Sequence, residues 1–200
     1  MSDMHLALHG LAIKKHASPK DIAEIVGMDA ERVASLLAEA ESRGRVARAG
    51  GKFVLTAPAQ VALRSEYSRV YAEQRSSAAM NAAYDDFEKV NVWLKQLITD
   101  WQTMDVGGEK LPNDHSNKDR DEKIIDRLGD LHERSEPILK RMAANLPRLG
   151  IYLQMLTAAL ERAEDGAIEW VSDVRIASYH TVWFEMHEDL LRALGRERVE

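Results

Sequence analysis

Seven histidines and several carboxylate runs are the side chains best suited to chemistry in this 200-residue chain. His5 and His9 stand four residues apart, a spacing that lets two imidazoles converge on one helix face, but the neighbouring sequence suggests no third metal ligand. His180 and His187 stand seven apart, so their backbones differ by ~10.5 Å along a helix axis. Rings that far apart reach one ion only with difficulty at bond lengths of about 2 Å. Each would need separate partners, such as His132 or His115 with Asp114, and no spacing enforces this. No metal and no cofactor is therefore expected. Tyr179 beside His180 could do acid–base work, yet no third group is spaced to orient the pair. Asp85 and Asp86 diverge on a helix, and Glu185 to Asp189 suit a solvated face. Phosphate loop, dinucleotide glycine fingerprint, serine elbow and HExxH pair are all missing. The expectation is a protein that is not an enzyme and has no catalytic residue.

Binding is the remaining chemistry. His180, Trp183 and His187 share one stripe with Leu190 and Leu194, and Trp93, Trp101, Trp170 and Trp183 all lie beyond residue 80. Asn91 is the polar member of a seam formed by Tyr84, Phe87, Leu94, Ile98 and Trp101, spaced three and four apart as in coiled coils and bundles. Two readings stay open. These groups could be core residues that satisfy one another, or they could line a pocket for a small-molecule effector. Its candidate residues would be Asn91, Trp101 and His132 together with Tyr179, His180, Trp183 and His187.

The elements that must position them are helices. Between Pro58 and Gly107 the chain has neither proline nor glycine. Its first part, residues 58–79, reads as a connector helix through Leu63, Tyr67, Val70 and Tyr71, with a bend near Ser76 to Ala79. A helix from Met80 to Met104 follows, placed to pair two subunits of a homodimer. Gly107, Gly108 and the run LPNDHSNKD read as the main loop. Further helices are expected at about 119–133, 135–145, 148–164 and 178–194. Pro137 and Pro147 mark breaks, and Gly166 caps the helix ending near Glu164. The result is a bundle over residues 80–200.

The first 57 residues have a different rhythm. Leu8, Leu11 and Ala12 stripe a helix from about Asp3 to Lys15. Ser18 and Pro19 start a short second helix that buries Ile22, Ala23, Ile25 and Val26 and ends at Gly27. Asp29 caps a third, with Val33, Leu36, Leu37 and Ala40 inward and Gly44 at its close. Arg45 to Ala49 and Lys52 to Leu55 then flank Gly50-Gly51, a pair suited to a hairpin turn. Helix, helix, turn, helix, hairpin is the winged-helix order. The expected fold is mainly α: an N-terminal winged helix of three helices and a β-hairpin wing, followed by an α-helical bundle domain.

Through SPKDIAEIVGMDAERVASLLAEAESRGRV and ARAGGKFVLT, the chain resembles the winged helix-turn-helix family of bacterial one-component transcription regulators. The resemblance implies DNA binding, with the third helix in the major groove. Arg32 and Ser35 would read bases while Lys20, Arg45, Arg48 and Lys52 hold phosphates. The charges support this only in part. Residues 1–62 hold eight Lys or Arg against seven Asp or Glu, whereas DNA-binding modules are usually clearly basic. The outward face of the third helix carries Glu31, Ser35, Ala38 and Ser42, with Glu39 and Glu41 set to repel a phosphate wall. Residues 63–200 carry −7 of the net −6. A protein-docking use of the same fold stays open. The front segment and SYHTVWFEMHEDLL are also similar to small companion proteins of pyruvate phosphate dikinase-like enzymes, which implies an accessory protein docked on a metabolic enzyme.

With no cysteine, disulfides and zinc–thiolate sites are excluded. No run of 18 apolar residues and no leader pattern occurs, so no membrane association and a cytoplasmic location are expected.

Overall fold

The computed structural model describes residues 1–197, apart from the Val106 side chain. Its chain is mainly helical and divides into two compact units, residues 1–77 with 185–200 and residues 78–184. Residues 185–197, expected in the bundle, belong instead to the first unit, and residues 198–200 lie outside the described residues. Among the described residues no helix is long and apolar enough to cross a membrane.

The first unit opens with α1 (Asp3–Lys14), α2 (Pro19–Val26) and α3 (Ala30–Ser42), followed by β1 (Val46–Ala49) and β2 (Lys52–Leu55). Local chemistry sets these boundaries. Ser18 and Asp21 form a reciprocal capping box at the start of α2: the Ser18 hydroxyl accepts from the Asp21 N–H, and the Asp21 carboxylate accepts from the Ser18 N–H. Gly27 ends α2 at φ 67°, where a side chain would be strained. Asp29 caps α3 by accepting from the backbone of Glu31 and Arg32. Val33, Leu36, Leu37 and Ala40 are its buried face, as their spacing predicts.

The hairpin pairs Val46 with Leu55 and Ala49 with Lys52 around the Gly50-Gly51 turn. A third segment joins it. Ala17, between α1 and α2, exchanges both backbone hydrogen bonds with Phe53, at 3.1 and 2.9 Å. Helix α1 crosses α2 closely because Gly10 has no side chain. A Cβ there would lie 2.7 Å from Val26 Cγ1 and 2.8 Å from Ile22 Cγ2. The unit continues through α4 (Ala57–Val70) and α5 (Ala72–Ser76), so the connector breaks at Tyr71 and again at Ser77.

The second unit begins with α6 (Ala78–Gln102), then β3 (Thr103–Val106) and β4 (Glu109–Pro112), α7 (Lys118–Asn145), α8 (Gly150–Glu164) and α9 (Glu169–Ser172). Helix α10 (Tyr179–Leu194) gives its first six residues to this unit and the rest to the first.

The expected loop at Gly107-Gly108 is the turn of a hairpin pairing Thr103 with Pro112. Pro137 does not break the chain into two helices but sits inside α7. Its missing N–H costs the Glu133 carbonyl one partner, which water can replace because Pro137 is exposed, while buried Ile138, Leu139 and Met142 hold the helix on course. The seam of α6 is not free to pair subunits. Phe87, Leu94, Ile98 and Trp101 are buried within this single chain, where α6 packs chiefly on α7.

Candidate functional site

Helices α2 and α3, the turn after α3 and the hairpin carry the predicted nucleic-acid contacts. Lys20, Arg32, Ser35, Arg48 and Lys52 are exposed and Arg45 is half-buried. Three of the cations already hold carboxylates. Arg32 donates through Nε and Nη2 to Asp3 Oδ2 at 3.1 and 2.8 Å. Arg48 donates to Glu41 Oε1 at 3.1 Å and lies 4.4 Å over the Phe53 ring. Lys52 Nζ stands 3.5 Å from Asp21 Oδ2. Burial raises the Asp21 carboxyl, but the Ser18 hydrogen bonds and the Lys52 ammonium outweigh it and leave the group below its ordinary value. Lys20 and Arg45 form no ion pair among the described residues. Exposed pairs like these hold by only ~0–1 kcal/mol each, so a stronger anion can displace the carboxylates.

The predicted effector residues do not come together in one place. In the second unit, Trp183 Nε1 donates to Asn91 Oδ1 at 3.0 Å and its ring stacks on Phe87 with centroids 5.0 Å apart. One stacking distance further, at 6.1 Å, lies Tyr179. The Tyr179 hydroxyl stands 3.2 Å from His132 Nδ1, and Thr157 Oγ1 stands 3.3 Å from His132 Nε2. The network assigns the tautomer. Thr157 spends its proton on the Leu153 carbonyl, so it accepts from Nε2–H, and Nδ1 accepts from Tyr179. Burial pushes the Tyr179 hydroxyl well above its ordinary value and pushes His132 down, so both stay neutral. These four residues are mutually satisfied core.

Trp101 stands elsewhere in the unit, 4.5 Å from the His115 ring, where His115 Nδ1 lies 2.8 Å from the buried Asp121 carboxylate. His180 is half-buried, with its pKa lowered by burial. His187 is buried in the first unit and belongs to neither group. Nor do the remaining tryptophans join an aromatic chamber. Trp93 is half exposed beneath Arg134, and Trp170 lies beneath Arg162.

The most complete polar cluster is one whose partners sequence reasoning missed. His5 and His9 stack with ring centroids 6.3 Å apart, so their four-residue spacing does bring the rings together. Their partners come from distant chain. His9 Nδ1 meets the Tyr67 hydroxyl at 3.0 Å and Nε2 meets Asp189 Oδ1 at 2.9 Å, while His5 Nδ1 meets Glu66 Oε2 at 2.9 Å. Burial holds the Tyr67 hydroxyl protonated, against the pull of nearby Arg192. A relay of hydroxyl, imidazole and carboxylate results, fully buried at His9 and Asp189. The histidine spacing was the signal, and nothing local to it named Tyr67 or Asp189. Among the described residues no group of three or more His, Asp or Glu could hold a metal ion.

No family model, curated protein or solved structure matches this chain.

Proposed function

We propose that this chain is a bacterial transcription regulator whose first unit is a winged helix that binds DNA. One observation carries the reading: the order of three helices and a hairpin, with Ala17 adding a third short strand to the hairpin through Phe53. This order supports a winged-helix reading, in which a third helix lies beside a wing. In this reading α3 enters the major groove with Ser35 and Arg32 toward base edges, while Lys20, Arg45, Arg48 and Lys52 hold phosphates. Asp3, Asp21 and Glu41 act as place-holders that phosphate displaces. Such a regulator works in the cytoplasm. Pairing of two copies on a two-fold operator would use a surface other than the α6 seam.

Those same ion pairs favour a second reading, a winged helix that docks on a protein, with a pyruvate phosphate dikinase-like enzyme as the partner class. Carboxylates interleaved with cations suit a mixed protein surface better than a phosphate backbone. Gel-shift selection of genomic fragments separates the two. The DNA reading expects retained fragments that a Lys20→Glu, Arg45→Glu double variant loses. Failure of the wild-type chain to retain any fragment, with co-purification of a dikinase-like enzyme, gives the second reading.

A further inference from the structure

The first unit contains a cleft of about 1110 Å³ bounded by β2, α4 and the end of α10. Its lining holds five cations, Lys15, Arg64, Arg75, Arg192 and Arg196, against two carboxylates, Glu188 and Glu197. This is a local excess of +3 in a chain of net charge −6. We propose that the cleft binds a small organic anion, a carboxylate or phosphate monoester carried on an apolar body. The inference goes beyond the DNA reading and does not depend on it.

Not all five charges are available to a ligand. Arg75 closes α10, donating through Nε to the Ala193 carbonyl at 2.9 Å and through Nη2 to the Arg192 carbonyl at 3.2 Å. Gly195, at φ 67°, makes room for it, since a Cβ there would lie 2.9 Å from the guanidinium carbon. Arg192 Nη2 pairs with Glu188 Oε1 at 2.7 Å, yet its Nε is buried with no hydrogen-bond partner. Lys15 and Arg64 have no carboxylate partner among the described residues. The cleft therefore offers two uncommitted cations and one unmet N–H donor.

Tyr67 also lines the cleft. Its hydroxyl lies 3.0 Å from His9 Nδ1 and beside the Arg192 guanidinium, and burial keeps it from becoming a competing anion. Like charges gathered in a recess repel one another, and an anion relieves that repulsion more than water does. Polar and apolar groups share the rest of the lining: Gln60 stands among Leu11, Val54, Leu55, Leu63 and Leu191, with Val61 left 72% exposed. A mixed lining of this kind suits a ligand with a charged head and an apolar body, and the volume lies just above the ~300–1,000 Å³ that small-molecule sites usually occupy. An inorganic ion would leave those walls wet, so an apolar body is part of the assignment.

Titration of the full chain with phenyl phosphate, followed in amide correlation spectra, tests this. Saturating shifts are expected at Val54, Gln60, Arg64 and Leu191, and none with neutral benzyl alcohol. Arg64→Gln on the exposed α4 surface should weaken phenyl phosphate by about tenfold, the loss of one charge-assisted contact. Lys15→Gln should do the same, while Lys95→Gln in the other unit leaves binding unchanged. Shifts that never saturate, saturating shifts outside the cleft, or wild-type binding by both cleft variants would overturn the proposal.

Discussion

His9 Nε2 lies 2.9 Å from Asp189 Oδ1 across 180 residues of sequence, and both side chains are fully buried. This pair ties α1 to the returning half of α10 within the first unit. A buried imidazole and carboxylate hold together only while each keeps the other's hydrogen bond.

Removing the acceptor should therefore cost more than removing the hydroxyl at the other end of the relay. Asp189→Ala leaves a buried His9 N–H unmet and should destabilise by ~1–3 kcal/mol. Tyr67→Phe, which removes one neutral hydrogen bond, should cost ~1 kcal/mol. Urea denaturation of the two variants checks the order, and an Asp189→Ala midpoint equal to wild type would count against the relay.

The Asn91–Trp183 bond makes a separable claim, that the former effector candidates are core. Trp183→Phe strands the Asn91 oxygen and should destabilise by ~1–3 kcal/mol, whereas Trp183→Phe with Asn91→Leu should recover part of that loss. Purely additive losses in the double variant would mean that the two side chains do not act as a pair.

Stability should fall in mild acid, in part through His132. Its folded pKa is depressed by burial below the ordinary 6.5, so the unfolded chain binds a proton that the folded chain refuses. The contribution is full above pH 6.5 and is lost as the pH falls toward the folded value. Melting temperature followed from neutral to mildly acid pH should drop less steeply in His132→Gln than in wild type. Identical slopes would show that His132 is protonated as easily when folded.

Gly10→Ala probes the crossing of α1 and α2. The added methyl would sit under 3 Å from the Val26 and Ile22 side chains, and such overpacking typically costs ~1–3 kcal/mol. Helix propensity alone argues the opposite, since alanine gains ~1 kcal/mol over glycine inside a helix. A stabilised variant in thermal melts would show that the crossing relaxes freely.

What could be read from the residues was local. Ser18-Pro19, Gly27, Asp29 and Gly50-Gly51 act within a turn of chain, and the boundaries from α1 to β2 follow them closely. Pro137 misled because its cost is set by what surrounds it: an exposed ring and a buried opposite face let α7 run through. Gly107-Gly108 has the same turn signature as Gly50-Gly51, but β4 is exposed throughout and ends on Pro112, so no apolar alternation marked it. His5 and His9 announced a cluster by spacing alone. Tyr67, Glu66 and Asp189 reach it only through tertiary folding, which no local pattern records. The ion pairs on Arg32, Arg48 and Lys52 were hidden for the same reason, although the shortage of net positive charge in the first 62 residues was already visible.

DNA binding by the first unit is decided by fluorescence anisotropy of the full chain with genomic DNA fragments, at about 50 mM and again at about 200 mM salt. Binding is expected at the lower salt and should weaken steeply at the higher, as phosphates exchange counterions for Lys20, Arg45 and the displaced Arg48 and Lys52. Absence of binding at the lower salt, or binding indifferent to salt, would contradict it.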